Sequence, residues 1–145
     1  MNRRKEIREK LTNLLKHQTS AKDRVFSQRV VPLWDLSFPV TLVYARDETA
    51  DVFSREDDAL SYTRTLNLFV ETRTKLLDDD NVDDKLDEYA SEIEDILNSK
   101  PNLEDTVASI LLTGTEIEAD YESEEPIAAV RLEYQVIYRD EPSGV

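Results

Sequence analysis

The sequence contains no cysteine, two glycines and one histidine among its 145 residues. The lack of cysteine excludes disulfides, thiolate metal sites and a cysteine nucleophile. Glycine normally makes up about 7% of a protein, and phosphate-binding loops, dinucleotide-binding fingerprints and nucleophile elbows need it for tight turns. Because Gly114 and Gly144 lie far apart, these nucleotide-binding and hydrolase motifs are excluded.

Long apolar runs are missing too. No stretch approaches the ~18 apolar residues of a transmembrane helix, and the basic residues 1–10 lead into a polar helix instead of the apolar core of a signal peptide. We therefore expect a soluble protein that is assembled in the cytoplasm and does not bind membranes. The length suits one domain, predicted to span residues 1–145 with a loose C-terminal tail at 139–145.

Positive charge is concentrated at the N-terminus, although the formal net charge is -14. Residues 1–31 hold nine Lys/Arg and three Asp/Glu, whereas residues 32–145 hold nine Lys/Arg and 29 Asp/Glu. The overall acidity argues against wrapping nucleic acid or binding an anionic membrane, because like charges repel. One explanation of this uneven distribution of charge is a solvated surface with a basic first helix. The other is a molecule with oppositely charged faces, which is able to stack head to tail on further copies.

Hydrophobic periodicity predicts two helices and five strands. Helices are predicted where apolar residues recur every three or four positions, at 3–17 and 82–98. Strands are predicted where apolar and polar residues alternate, at 24–31, 40–45, 60–73, 107–121 and 127–138. The polar segment 46–58 breaks the alternation and is predicted to be a loop.

The order α-β-β-β-α-β-β predicts a single α+β domain. We expect a mostly antiparallel or mixed sheet with the two main helices packed on one face, and the other face exposed or buried in an assembly. Gly114 lies where the apolar positions change from even to odd numbers, which predicts a bulge. After this bulge Glu116, Glu118 and Asp120 are predicted to face outward.

The search for catalytic or metal-binding chemistry is largely negative. His17 lies at the end of the basic helix, where histidines are usually exposed, and a histidine-based zinc site lacks further ligands. The acidic run 78–84 does not fit a calcium-binding EF-hand loop, because the required glycine and glutamate are replaced, in the frame starting at Asp79, by Asp84 and Ala90. We expect no enzymatic activity, no cofactor and no metal site.

Two aromatic residues in polar surroundings are candidates for an interface. Trp34, near Pro32, fits a core position and an interface anchor equally well, since aromatic residues in loops beside proline serve both roles and tryptophan is enriched at interfaces. Phe53 is surrounded by charged residues within the predicted loop, which makes it the better interface candidate. We assign candidate interface roles to Trp34, Phe53, Arg55, Tyr121 and Glu122.

In the order of its segments the chain resembles the tail terminator, or tail completion, proteins of long-tailed bacteriophages, the minor tail protein U-like family. The similarity covers most of residues 3–138. It comprises the charged first helix, the Phe38-Pro39 step into a strand ending at Tyr44, the long strand 65–71, the acidic start of the helix at 84–89, and the final strand 132–138 with its tyrosines. The acidic segment 116–125 departs from the pattern because it is longer than a tight hairpin needs.

The resemblance implies a structural protein without catalytic residues. It implies a hexameric ring that caps the completed tail tube, stops its polymerisation and presents a surface to a head-completion or connector protein, with DNA passing through the lumen without specific binding. The protein would then be located at the head-proximal end of the tail in the virion. As acids facing the lumen or the tube we assign Glu116, Glu118, Asp120 and Glu124.

Two other functions fit parts of the sequence. The small size and the charge of -14 suit an acidic inhibitor that mimics DNA and occupies a basic groove, although the basic N-terminal segment argues against it. A metal-dependent enzyme that uses the acids of residues 78–84, with Asp79 and Asp83 as paired carboxylates, is a third hypothesis.

Overall fold

The computed structural model describes residues 3–28, 38–56, 59–76, 81–120 and 126–140. Within these ranges the chain forms two helices and one five-stranded sheet. The helices are α1 (Arg3–Leu15) and α2 (Val82–Asn98), and the strands are β1 (Val25–Phe26), β2 (Val40–Glu56), β3 (Ala59–Lys75), β4 (Ser109–Asp120) and β5 (Ile127–Asp140). The predicted α+β class and the predicted element order are confirmed.

The strands are arranged in the order β1-β2-β3-β5-β4. β1 runs parallel to β2, and the other neighbours are antiparallel, so the sheet is mixed as predicted. β2 and β3 form one long hairpin, and β5 inserts between β3 and β4. The described sheet therefore has two different edges, the short β1 with the end of β2 on one side and the 12-residue β4 on the other.

The predicted loop at 46–58 is wrong, because residues 46–56 continue β2, while residues 57–58 lie outside the described ranges. This part of β2 pairs with β3 along its length, for example Thr49 with Thr65 and Asp51 with Thr63. Most of its side chains are exposed. A strand with both faces in water has no apolar face to bury, so alternation is not required.

Several element boundaries also differ from the prediction. α1 ends at Leu15 because the chain turns at His17, whose φ is 63°. β1 covers only part of the predicted strand 24–31, whose residues 29–31 lie outside the described ranges. β5 continues through Asp140, so Arg139 and Asp140 belong to the sheet and not to the predicted tail. The register of β4 shifts between Leu112 and Gly114, which confirms the predicted bulge.

Both helices cover one face of the sheet. α1 packs against β1 and β2, whereas α2 packs against β5 and β3. The predicted apolar stripe of α2 is buried at Leu86, Ile93 and Leu97, because residues three or four positions apart share one side of a helix. The Asn81 side chain accepts a hydrogen bond from the Asp84 N–H at 3.3 Å and caps the helix. The core contains alternate residues of the two central strands, Leu66, Leu68 and Val70 of β3 and Val130, Leu132, Tyr134 and Val136 of β5.

One core residue carries a polar group without a partner. Tyr134 is buried, and among the described residues nothing hydrogen bonds to its hydroxyl. Burial raises the pKa of this phenol, and the charge of Glu94 adds to the effect. A buried hydroxyl without a hydrogen bond lowers stability because it has lost its contacts with water.

We therefore expect Tyr134→Phe to leave the free energy of unfolding unchanged or to raise it by up to about 1 kcal/mol. The matched control is Tyr44→Phe, since the Tyr44 hydroxyl donates a hydrogen bond to Glu71, and its loss is expected to cost about 1 kcal/mol. Urea denaturation of both variants measures the two changes. A larger loss for Tyr134→Phe than for the control would contradict this prediction.

Candidate assembly surfaces

The face of the sheet opposite the helices, here called the helix-free face, carries ordered rows of charged side chains. Strand register places Leu42, Glu71, Arg131 and Glu116 in one row across β2, β3, β5 and β4. Residues paired across strands point to the same face, so Arg131 becomes the neighbour of Glu71, 60 positions earlier, and of Glu116, 15 positions earlier. This row organises the polar contacts of the face.

Glu71 is the centre of these contacts and is 1% exposed. Its carboxylate accepts hydrogen bonds from Arg73 Nε, from Arg131 Nε at 2.7 Å and from the Tyr44 hydroxyl at 3.0 Å. Burial alone would raise the pKa of Glu71, but the hydrogen bonds from Arg73 and Arg131 outweigh burial and hold it below its usual value. The buried carboxylate is therefore ionised and joins β2, β3 and β5.

Arg131 extends the network to the edge strand. Its Nη1 lies 2.9 Å from Glu116 Oε2 and 3.5 Å from Glu118 Oε1, and its guanidinium lies 5.3 Å from the centre of the Phe69 ring. Glu116 and Glu118, predicted to face outward, do lie on the helix-free face with exposed side chains. The structure thus brings two of the predicted acids to one arginine, which partly neutralises them.

A depression of about 520 Å³ lies over this network. Its lining combines two guanidinium groups with two carboxylates: Glu71, Arg73, Glu118, Ala119, Ile127, Ala129 and Arg131. Each charged group is already paired with another member of the network. The arrangement is that of structural ion pairs that stiffen a sheet, and it provides no nucleophile with an adjacent base.

The depressed pKa of Glu71 predicts how stability depends on pH. A carboxylate with a lower pKa in the folded than in the unfolded state, where it is about 4.3, stabilises the fold above that pH and loses its contribution as the pH falls through the folded value. At neutral pH we expect Glu71→Gln to lower the free energy of unfolding by about 2 kcal/mol relative to the wild type. We expect this difference in the free energy of unfolding to become smaller at acidic pH. Urea denaturation across a pH series tests this, with the exposed Glu118→Gln as control. A difference that does not change with pH would contradict it.

A second, smaller carboxylate cluster attaches α1 to the sheet. The largely buried Glu48 of β2 lies 2.8 Å from Arg4 Nη1 and 3.1 Å from Arg64 Nη1, and it accepts a hydrogen bond from the Tyr138 hydroxyl. Burial raises the pKa of the Tyr138 phenol, and the bond to Glu48 raises it further. This cluster holds the start of α1 over β2, β3 and β5.

The end of the β2–β3 hairpin exposes three apolar side chains. Val52, Phe53 and Leu60 lie within residues 52–56 and 59–62, which we call the hairpin tip. Phe53 is 45% exposed at a register irregularity between Val52 and Ser54, and the Arg139 guanidinium lies 3.9 Å from its ring centre. Arg55 pairs with Leu60 across the hairpin. The structure thus brings together the predicted interface residues Phe53 and Arg55, although on a strand instead of a loop.

The outer edge of β4 carries a second group of exposed apolar side chains. They are Leu111, Leu112 and Ile117. Periodicity placed Leu112 and Ile117 on the apolar face of the strand, and they do lie on the helix side, because they pair with the buried Tyr134 and Val130. They stay exposed because the two helices pack over the other strands. The sequence could not predict this, since it does not show where the helix layer ends.

The remaining predicted site residues are distributed as follows. Trp34, Tyr121, Glu122 and Glu124 lie outside the described ranges, and Asp120 is the last residue of β4. Of the acidic run 78–84, residues 78–80 lie outside the described ranges, while Asp83 and Asp84 form the first turn of α2. His17 is exposed in the turn after α1.

Comparison with known proteins gives the family. A model of the phage minor tail protein U family matches residues 2–138. The chain belongs to this family. A search of curated proteins found no match.

This member of the tail protein U family is accordingly a structural component of phage tails. The family assignment agrees with the resemblance inferred from segment order. In the described part of the chain, no three His, Asp or Glu side chains are grouped so as to hold a metal ion. Neither described helix has the length and apolar character needed to cross a membrane.

Proposed function

We propose that this protein ends the growth of the phage tail tube by forming a ring on its head-proximal end. The ring is hexameric, presents its far surface to a head-completion or connector protein, and lets DNA pass through its lumen. The family match over residues 2–138 is the observation that carries this proposal. The protein acts through binding surfaces and without catalysis or cofactor.

Two exposed regions support a role in assembly. A closed ring needs two different surfaces on each subunit that contact each other across every interface. The β4 edge exposes apolar side chains, whereas α1 is rich in basic residues. A further apolar surface is needed for the tube. The hairpin tip, with Val52, Phe53 and Leu60 exposed, is assigned to this contact because clustered apolar side chains at a projecting end favour protein binding.

The helix-free face is assigned to the lumen. Its edge strand β4 carries the exposed acids Glu116 and Glu118 on this face. Phosphates within a Debye length of about 8 Å at physiological salt are repelled by such charge. Because Arg131 balances part of it, the face repels DNA only weakly, which suits passage without binding.

The experiment is polymerisation of purified tail tube protein in the presence of this chain. We expect tubes whose length is limited and whose one end carries a ring with a central hole in negative-stain images. Continued growth of uncapped tubes would overturn the proposal. Strong binding to a basic nucleic-acid-binding protein in competition with DNA, together with no effect on tubes, would instead favour the acidic inhibitor.

A further inference from the structure

The two helices divide the helix side of the molecule into halves with opposite charge. α1 packs over β1 and β2, and α2 packs over β5 and β3, so one outer flank of each helix faces an edge of the sheet. The contacts that each helix makes with its neighbours fix its orientation, and this shows which charged residues lie on its outer flank.

The outer flank of α2 is acidic. Glu92 faces α1, because it accepts hydrogen bonds at 2.6 Å from both the N–H and the hydroxyl of Ser20, in the turn that follows α1. With about 100° between successive helix residues, Asp83, Asp87 and Glu94 lie on the opposite flank, toward β4. The single lysine of α2, Lys85, lies on the Glu92 side. The flank facing β4 therefore carries three acids and no cation.

The outer flank of α1 is basic. Arg8 Nη1 donates a hydrogen bond at 3.0 Å to the carbonyl of Ser27, just after β1. Lys5 lies on the same flank by helix spacing, and so does Lys16, whose N–H continues the helical pattern by bonding to the Thr12 carbonyl at 3.0 Å. Glu9 is the acid among them. This flank faces the β1 edge and is net positive.

Within β4, Ile110 is buried in the core, but the helix layer does not extend over the residues that follow it. Leu112 and Ile117 point to the helix side, and Ile117 is 55% exposed. This apolar strip lies beside the acidic flank of α2, since Glu94 acts electrostatically on Tyr134, the cross-strand partner of Leu112. Exposed apolar side chains on an edge strand mark a surface that is covered in an assembly.

We propose that a second copy of this chain covers the β4 edge, with the basic flank of its α1 placed against the Leu112–Ile117 strip and the acidic flank of α2. The inference rests on the proposed ring and names the interface within it. Contact between two β4 edges is disfavoured, because it would bring two acidic α2 flanks together. Contact between unlike flanks is heterologous and repeats from copy to copy, as a ring requires.

The test reverses the charge of each flank separately. One variant carries Lys5→Glu and Lys16→Glu, and the other carries Asp87→Lys and Glu94→Lys. Sedimentation at a series of protein concentrations, at low and at high salt, measures self-association. We expect the wild type to self-associate at low salt and to dissociate at high salt, each variant to associate at least about tenfold more weakly, and an equimolar mixture of the two to regain association.

The mixture is decisive because each variant then offers a flank that complements the other. If the α2 variant loses self-association while the α1 variant associates like the wild type, the inference is overturned in favour of contact between two β4 edges. A wild type that stays monomeric at low salt would also overturn it.

If the wild type caps tail tubes and both variants still do so, the interface is wrong and the proposed function stands. If charge reversal acts as expected but no tube is capped, the interface stands and the proposed function fails.

Discussion

Leu132→Ala is expected to lower the free energy of unfolding by about 3 kcal/mol. Leu132 is 0% exposed in the middle of β5, between β3 and β4, and its side chain belongs to the core under the helices. Truncation removes buried methyl groups and leaves a cavity that the surrounding strands cannot close. Urea denaturation followed by circular dichroism measures the loss.

The matched control is the same substitution on the adjacent strand. Leu111 of β4 is 54% exposed, so Leu111→Ala is expected to change the free energy of unfolding by less than about 0.5 kcal/mol. Equal losses for the two variants would mean that the helices do not cover this part of the sheet.

In the proposed role at the end of the tube, Phe53→Ser is expected to weaken capping on the order of 30-fold while leaving the fold intact. Exposed aromatic anchors at the centre of an interface contribute about 2 kcal/mol or more to binding. Phe53 lies on the hairpin tip, held by Arg139 and away from the core cluster. The measurement is the concentration of protein that limits tube length to half, determined by electron microscopy.

Phe53→Leu is the control for this prediction, because it keeps an apolar side chain of similar size and should retain most of the capping activity. Melting temperatures of both variants show whether the fold is unchanged. If Phe53→Ser capped tubes as well as the wild type does, the hairpin tip would not be the surface that contacts the tube. The apolar contact would then have to lie elsewhere on the chain.

The differences between sequence and structure at β2 have a physical cause. Strand prediction relies on one buried and one exposed face, and residues 40–45 satisfy this because the core lies beneath them. Beyond Ala45 most side chains of the strand are exposed, and it is held by backbone pairing with β3 and by polar contacts such as those of Glu48 with Arg4 and Arg64. Backbone pairing leaves no mark in the side-chain pattern, so the strand was predicted to be a loop.

For the acidic residues, too, one feature was predictable from the sequence and another was not. Their outward orientation after Gly114 follows from local alternation and was predicted. The partner of Glu116, however, is Arg131, 15 residues later, and the partner of Arg131 is Glu71, 60 residues earlier. Neither pairing is predictable from local pattern, because register between distant strands depends on the whole sheet.

The sequence by itself determined the element order, the α+β class, the apolar faces of α2, β3 and β5, and the family. These features depend on local periodicity and on segment order, which a linear chain displays directly. Only the tertiary structure decided the ionised Glu71 at the centre of the helix-free face, the exposed apolar strip on β4 and the opposite charges of the two helix flanks. Each of these depends on which surfaces other elements cover, and burial is set by packing between residues that are far apart in the chain.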